Sequence, residues 1–264
     1  MLISKLSRGM IKFMDCVDNK LLIVSSISTE IINVDELPVN PETRMRVLGA
    51  IHNQHCGCYI VRGGAKFRHV YSSVLETFYT GEYSALNVAD KIVIDIGAFV
   101  GDTAVYFALK GAKRVVAVEP HPDAYTEMLE NIRLNGLEGV IVPVNAGLAS
   151  RPGKLCIAGN IETAITTYFK TGDCKDSVPA VTLRELLDEF DLRGSNMALK
   201  MDCEGCERDV ILNDYKHVSL FDELIFEYHS PPDELITALS RDYKYTVAGS
   251  PSLGIVYCVK HVRR

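Results

Sequence analysis

Two glycines and an acidic residue occupy a strand-to-helix turn that has the composition of a nucleotide-binding site. Asp95 lies in the apolar run at residues 92–97, and Gly97 and Gly101 lie in the turn that follows it. Glycines let the backbone approach a ligand closely, and the carboxylate of Asp95 lies at the carboxyl end of the strand. Phe99 occupies the middle glycine position of the dinucleotide-binding pattern. This disfavours a pyrophosphate ligand and an NAD-dependent oxidoreductase.

A second carboxylate follows at the end of the next predicted strand. From this position Glu119 can accept hydrogen bonds from both hydroxyls of a ribose and repel a ribose phosphate. Asp95 would then face the cationic amino group of a methionine moiety, and Asn145 would lie near the adenine edge. The pattern therefore predicts a phosphate-free adenosine cofactor, S-adenosylmethionine. The alternative is that Asp95 caps the following helix and Glu119 is a solvated strand end.

Three further polar side chains follow two later strands of the same predicted sheet. Asp202 and Glu204 come at the end of one strand, and His229 ends the other. Because the carboxyl ends of parallel strands meet at one edge of a sheet, these side chains should reach the transferred methyl group. Imidazole takes up a proton near neutral pH, so His229 is the preferred base. Asp202 or Glu204 could instead accept the proton, orient an acceptor hydroxyl or hold a hard divalent cation.

The segments that position these residues alternate in type. From residue 91 onward, apolar strand-like runs alternate with amphipathic helix-length segments, which is typical of a parallel sheet flanked by helices. The predicted strands are at residues 92–97, 114–120, 139–145, 197–202 and 223–229. The predicted helices are at residues 102–111, 122–135, 182–190, 206–214 and 232–241. The sequence thus predicts an α/β domain at residues 81–264, with a mostly parallel twisted sheet and helices on both faces.

The first 80 residues carry a weaker pattern. We expect residues 1–80 to form an N-terminal α/β extension that serves as a lid, a cap or an interface element. Apolar residues at spacings of three and four predict an amphipathic helix through residues 3–17, and Pro41 opens a second one at residues 41–52. Strands are predicted at residues 21–27 and 58–62.

Composition and charge limit the expected partners. A net charge of -6 and a pI near 5.7 do not offer the basic surface that nucleic-acid binders use, so we expect a small-molecule acceptor. An RNA methyltransferase is the alternative, with the basic residues of 44–68 as its local patch. The first residues lack the continuous apolar stretch of a signal peptide or membrane span, so we expect a cytoplasmic protein without a membrane partner. The oligomeric state stays open, a homo-oligomer included.

The eight cysteines are too dilute for a disulfide scaffold. Two lie inside apolar runs and are predicted to be core thiols: Cys156 and Cys258. The close pairs Cys56/Cys58 and Cys203/Cys206 could bind zinc. However, the first pair has a single intervening residue and the second lies inside the acidic segment already described, so no metal site is predicted.

These segments together resemble the FkbM family of methyltransferases. The resemblance covers roughly residues 75–245, in the strings VIDIGAFVGDTAVYFA, VVAVEPHPDAYTEMLENIRLNG, LKMDCEGCERDVI and IFEYH. Its most specific part is Lys200-x-Asp202-x-Glu204-Gly205-x-Glu207, followed by Glu227-x-His229. The resemblance implies a Rossmann-like methyltransferase fold, S-adenosylmethionine as methyl donor, and O-methylation of a sugar or natural-product hydroxyl. Phe99 departs from the family, in which Asn is common at this position.

The sequence therefore predicts a small-molecule O-methyltransferase. The predicted cofactor-binding residues are Asp95, Gly97, Gly101, Glu119 and Asn145. The residues predicted to surround the acceptor are Asp202, Glu204 and His229. One alternative is a protein that binds the cofactor without catalysis, as a sensor or structural partner. A second alternative is that Glu207 forms a salt-bridge network with Lys200, Glu204 and Arg208, which shapes the loop after the strand predicted at residues 197–202. His121 is expected to be a solvated turn residue.

Overall fold

The computed structural model describes residues 11–17, 20–25, 29–33, 51–53, 55–157, 174, 176–192 and 196–261. The chain divides into two compact units, Met1–Glu82 and Tyr83–Arg264. Within the described ranges, no helix has the length and apolar character that a bilayer crossing requires.

The described part of the first unit consists mainly of short antiparallel strands. One sheet contains β1 (Ile11–Val17), β2 (Lys20–Ser25) and β3 (Thr29–Asn33). A second sheet contains β4 (Ile51–Asn53), β5 (Cys58–Ile60) and β6 (Lys66–Phe67). A 3-10 turn covers Arg62–Gly64, and helix α1 (Ser72–Leu75) continues as a π-helix over Glu76–Thr80. The strands predicted at residues 21–27 and 58–62 correspond to β2 and β5.

The helix predicted through residues 3–17 is wrong over its described part. Ile11–Val17 is a strand that pairs with β2 in an antiparallel hairpin. Short apolar runs satisfy helical and strand periodicity about equally well, and here the hairpin ladder decides between them. Residues 51 and 52, the end of the second predicted helix, also belong to a strand, β4, while residues 3–10 and 41–50 lie outside the described ranges.

The second unit is built on a seven-stranded sheet. Its strands are β7 (Ile92–Ile96), β8 (Arg114–Val118), β9 (Ile141–Val144), β13 (Met197–Met201), β14 (Glu223–Tyr228), β15 (Tyr243–Gly249) and β16 (Gly254–Lys260). Beside it lies a small sheet of β10 (Gly147–Leu148), β11 (Gly153–Cys156) and β12 (Ser177–Val181). The helices are α2 (Asp102–Leu109), α3 (Pro122–Asn135), α4 (Leu183–Glu189), α5 (Cys206–Asn213), α6 (Tyr215–Val218) and α7 (Asp233–Leu239).

The strand order β15-β16-β14-β13-β7-β8-β9 places β7 and β13 side by side in the middle of the sheet. Strands β9, β8, β7, β13 and β14 are parallel, whereas β15 and β16 pair antiparallel at one edge. The central strands are almost wholly buried because helices cover the sheet, as parallel sheets require. The chain leaves β7 in one direction toward β8 and returns to β13 on the other side. Ligands of open α/β sheets bind at this kind of switch point.

The predicted α/β fold is confirmed in the second unit. All five predicted strands and all five predicted helices are present, with ends within a few residues of their predicted positions. The sequence did not predict the antiparallel pair β15 and β16 or the small sheet. β15 alternates apolar and polar residues over 243–247, a pattern that is typical of a strand, although the strand is exposed along almost its whole length.

Candidate functional site

The turn after β7 packs directly against the backbone that follows β13. Gly97 has a φ of 71°, and a Cβ at this position would overlap the carbonyl oxygen of Asp202. The backbone N–H of Asp202 donates to the carbonyl of Ile96 over 3.1 Å. Gly101 has a φ of 82°, and its Cβ would come within 2.8 Å of Met128 Cγ in α3. Both glycines are therefore required by the packing of neighbouring elements.

Asp95 lies under this turn beside a buried lysine. Its Oδ2 accepts a hydrogen bond from Thr103 Oγ1 at 2.6 Å, and its Oδ1 lies 3.2 Å from Lys200 Nζ. The Lys200 ammonium donates to the carbonyls of Ile96 at 3.2 Å and Gly97 at 2.8 Å. Burial alone lowers the pKa of Lys200, but nearby carboxylates, Asp95 above all, raise it to about 12. Lys200 is therefore charged and ties the ends of β7 and β13 together.

Glu119 connects the turn to the loop after β8. The residue is 5% exposed, its Oε2 accepts from the Phe99 N–H at 2.8 Å, and its Oε1 accepts from the His121 N–H at 2.7 Å. Burial raises the pKa of Glu119 to about 7, although the two backbone hydrogen bonds lower it. Asn145 Nδ2 donates to the carbonyls of Glu119 at 2.9 Å and Pro120 at 3.3 Å. The interpretation of Glu119 as a solvated strand end is therefore wrong.

The expectation of a solvated His121 is also wrong. This residue is 2% exposed, and its Nδ1 accepts a hydrogen bond from the Asp123 N–H at 3.3 Å, which caps helix α3. A histidine between two prolines has the local composition of an exposed turn. Its burial follows from Glu119, which holds the backbone of His121 against the turn at Phe99.

A pocket opens where the ends of four parallel strands meet. Its lining is mostly apolar and includes Gly97, Pro120, Ala146, Leu148, Cys203 and Cys206. These residues follow β7, β8, β9 and β13, and Leu148 belongs to the small sheet. The pocket is thus bordered by the turn that the sequence associated with cofactor binding.

The side chain of Glu207 holds the loop after β13 through hydrogen bonds to two backbone N–H groups. Its Oε1 accepts from the Cys203 N–H at 2.6 Å and its Oε2 from the Gly205 N–H at 2.8 Å. Glu207 is buried, and burial raises its pKa while these hydrogen bonds lower it. Arg208 pairs with Glu234 at the surface. Glu207 thus shapes the loop through backbone hydrogen bonds. The alternative of a salt-bridge network is wrong, because Lys200 pairs with Asp95, Arg208 with Glu234 and Glu204 with His229.

Glu204 and His229 meet at the edge of the sheet where the parallel strands end. His229 Nε2 lies 3.5 Å from Glu204 Oε1 and 3.5 Å from Glu227 Oε2. Burial raises the pKa of Glu204 to about 7; His229 opposes this shift and the charge of Asp202 adds to it. A carboxylate with such a pKa can accept a proton near neutral pH, and Glu204 does so from a position beside the imidazole of His229.

Tyr83 and Thr103 contact the predicted site residues but were not found from the sequence. The Tyr83 hydroxyl donates to Asp202 Oδ2 at 2.8 Å, and its ring covers Lys200 Nζ at 5.2 Å from the centroid. Thr103 lies in the second position of α2, from which it reaches back to Asp95. The spacing of Asp95 and Thr103 across one strand-to-helix turn was a usable signal. Tyr83 gave none, because its contact with Asp202 spans more than a hundred residues.

The cysteines form three disulfides in the described part of the chain: Cys56–Cys58, Cys156–Cys174 and Cys203–Cys206. Cys258 is a buried free thiol, as predicted, whereas the prediction of a free thiol at Cys156 is wrong. Its partner Cys174 is distant in sequence, and their pairing depends on how β11 is positioned. No cluster of three or more potential metal-binding side chains occurs among the described residues.

The chain resembles known proteins in both sequence and structure. A family profile described as Methyltransferase FkbM domain matches residues 95–246, more than half of the chain. The ribosomal protein L11 methyltransferases of Citrifermentans bemidjiense and Geobacter sp. strain M21 are each 36% identical over 61 residues. This segment is 23% of the present chain and 20% of each relative, so the chain matches about a fifth of their length.

Among solved structures, the methyltransferase FkbM of Methylobacillus flagellatus KT is similar with a TM-score of 0.51 and 17% identity. The similarity covers 69% of this chain and 47% of that one. It shows a shared Rossmann-like methyltransferase fold, in agreement with the predicted architecture.

Proposed function

The chain belongs to the FkbM methyltransferase family, and we propose that it transfers a methyl group from S-adenosylmethionine to a hydroxyl of a small-molecule acceptor. The observation that carries this proposal is the Glu204–His229 pair, which lies at the same sheet edge as the apolar pocket beside Gly97. A donor site and a proton acceptor at one edge are what methyl transfer to oxygen requires.

The residues around the pocket fit the proposed cofactor. The apolar lining suits an adenine ring and a thioether chain. Glu119 is a buried carboxyl group at the end of β8, and each of its oxygens keeps a second lone pair beyond the backbone hydrogen bond it accepts. These lone pairs can accept the two ribose hydroxyls. When bound, S-adenosylmethionine supplies an electrophilic methyl group on a positively charged sulfur.

The acceptor side supports an uncharged hydroxyl. Carboxyl oxygens of Glu204 and Glu227 lie 3.5 Å from His229 Nε2, and Asp202 is close enough to act electrostatically on Glu204. The negative potential of this acidic group repels phosphorylated acceptors. It therefore argues against RNA, whose backbone would have to approach these groups. The Glu204–His229 pair takes the hydroxyl proton as the acceptor oxygen becomes nucleophilic. Asp202, held by Tyr83, can orient the acceptor.

The cofactor part is tested by calorimetry with S-adenosylhomocysteine as a function of pH. Ribose hydroxyls favour the ionised form of Glu119, whose pKa in the free protein is about 7. We therefore expect binding about tenfold weaker at pH 6 than at pH 8, with proton release on binding. Glu119→Gln should weaken binding and abolish this pH dependence, while the exposed control Glu138→Gln should not change either. Absence of binding, or unchanged binding by Glu119→Gln, would contradict the assignment.

The catalytic part is tested by transfer of a labelled methyl group to a panel of sugars and hydroxylated natural products, with RNA as a separate arm. We expect His229→Gln and Glu204→Gln to lower the transfer rate by about 100-fold or more while binding of S-adenosylhomocysteine stays within a few-fold. His261→Gln, at an exposed histidine, is the matched control. Transfer to RNA alone would replace the proposed acceptor class, and cofactor binding without transfer to any acceptor would favour a non-catalytic binder.

A further inference from the structure

The loop that carries Asp202 and Glu204 is closed into a small ring by the disulfide between Cys203 and Cys206. Only Glu204 and Gly205 lie between the two cysteines. Both have left-handed backbone conformations, with φ of 54° for Glu204 and 115° for Gly205. A non-glycine residue in this region is strained, so the surroundings of Glu204 must hold the loop in place.

Two devices hold this loop. One is Glu207, whose carboxylate accepts the N–H groups of Cys203 and Gly205. The other is the disulfide, which fixes the start of the loop to Cys206, the first residue of α5. If the disulfide opens, only non-covalent contacts, the two hydrogen bonds to Glu207 among them, oppose the tendency of Glu204 to leave its left-handed conformation. The position of Glu204 beside His229 then becomes one state among several.

The disulfide also forms part of the pocket wall. Cys203 and Cys206 line the same pocket as Gly97 and Leu148. Cys206 is 1% exposed, whereas Cys203 is only partly buried, so Cys203 is the more accessible of the two cysteines. A chemical change at these sulfurs thus alters the wall against which the cofactor would lie.

We propose that Cys203 and Cys206 form a reversible dithiol–disulfide site that reacts with small dithiols and sets the affinity of the adjoining pocket for its cofactor. This inference rests on the proposed function. Pairs of cysteines separated by two residues at the start of a helix are well suited to thiol–disulfide exchange.

A thiolate of the dithiol attacks Cys203 Sγ, the sulfur–sulfur bond breaks, and the electron pair stays on Cys206 Sγ, which takes up a proton. The second thiolate of the reagent attacks the mixed disulfide and releases Cys203, which is protonated in turn. Two electrons and two protons pass to the protein, and the dithiol becomes a cyclic disulfide.

The test compares the oxidised full chain with the chain reduced by dithiothreitol, with free thiols counted in each sample. Calorimetry with S-adenosylhomocysteine should show about tenfold weaker binding after reduction, as expected if the reduced loop occupies the competent conformation a tenth of the time. Cys203→Ser/Cys206→Ser should bind like the reduced protein and not respond to dithiothreitol. Cys156→Ser/Cys174→Ser, at the other described disulfide of the second unit, should keep the full response.

A second measurement needs no variant. Amide hydrogen exchange of Cys203 and Gly205 in the wild-type chain should be faster after reduction. Without the covalent ring, the hydrogen bonds from these two N–H groups to Glu207 should open more often. Binding that is unchanged or tighter after reduction, or a response lost only in Cys156→Ser/Cys174→Ser, overturns the inference while leaving the proposed function intact. Absence of binding in both states instead contradicts the proposed function. If neither state binds, unchanged amide exchange after reduction overturns the inference. Faster exchange after reduction supports the part of the inference that the disulfide holds the loop.

Discussion

Asp95 and Lys200 occupy paired positions of β7 and β13, with Asp95 Oδ1 3.2 Å from Lys200 Nζ and both side chains buried. The same ammonium donates to the carbonyls of Ile96 and Gly97. Buried charges persist only when they are paired and hydrogen-bonded, so the two residues depend on each other. This ion pair holds together the two strand ends from which the pocket and the acceptor loop begin.

Removal of the lysine charge should therefore destabilise the fold strongly. Lys200→Met leaves Asp95 without a counter-ion, and we expect the free energy of unfolding to fall by about 3 to 5 kcal/mol. Denaturant unfolding of the chain measures this change. Lys113→Met, at an exposed lysine, should alter stability by less than about 0.5 kcal/mol. A similar small effect for both variants would show that the ion pair contributes little.

Glu207 should act on the loop rather than on the core. Glu207→Gln replaces one acceptor oxygen with an amide group that cannot accept, so one of the two loop N–H groups loses its partner. We expect a loss of about 1 to 3 kcal/mol in the free energy of unfolding and faster amide exchange at Cys203 or Gly205. The exposed ion-pair residue Glu234 provides the control, since Glu234→Gln should change stability by at most about 1 kcal/mol. Equal losses of stability in Glu207→Gln and Glu234→Gln would contradict the role of Glu207 in holding the loop.

A comparison of Gly97 with Gly136 separates the energetic cost of backbone strain from the cost of steric overlap. Gly97→Ala combines a left-handed φ with overlap onto the carbonyl oxygen of Asp202, whereas Gly136 has a φ of 66° and an open surrounding. We expect Gly136→Ala to cost about 1 kcal/mol and Gly97→Ala clearly more, because backbone must move to admit the methyl group. Thermal unfolding of the two variants compares these costs. If Gly97→Ala and Gly136→Ala lower the stability equally, the overlap with the carbonyl oxygen of Asp202 does not contribute to the cost of Gly97→Ala.

Glu119 should make the fold less stable as pH rises toward neutrality. Its folded pKa of about 7 lies above the ordinary value of 4.5, so protonation favours the folded state. The stabilisation is fully present below pH 4.5 and is lost as pH rises through 7, and over this window it amounts to roughly 3 kcal/mol. Unfolding measured from pH 4.5 to 8 should show this decline, reduced in Glu119→Gln and retained in Glu138→Gln. Glu204, with a similarly raised pKa, contributes in the same window, so Glu204→Gln should reduce the slope as well.

Much of the second unit followed from local sequence patterns. Alternating apolar runs and amphipathic segments predicted the parallel sheet, and the chain direction through it put Glu119, Glu204 and His229 at one edge. The same reasoning failed at Ile11–Val17, where a short apolar pattern is compatible with both helix and strand. It failed also at His121, whose backbone Glu119 holds against the turn at Phe99, and at Cys156, whose disulfide partner is Cys174.

The sequence by itself determined which residues lie at the carboxyl ends of the strands, because periodicity reports burial and the order of elements reports direction. The tertiary structure alone decided which of these side chains contact one another. It turned Asp95 toward Lys200, gave Asp202 the Tyr83 hydroxyl, and closed the loop at Glu204 with Glu207 and a disulfide. Such contacts depend on how strands and loops pack across the sheet, and no local pattern encodes the resulting distances between side chains.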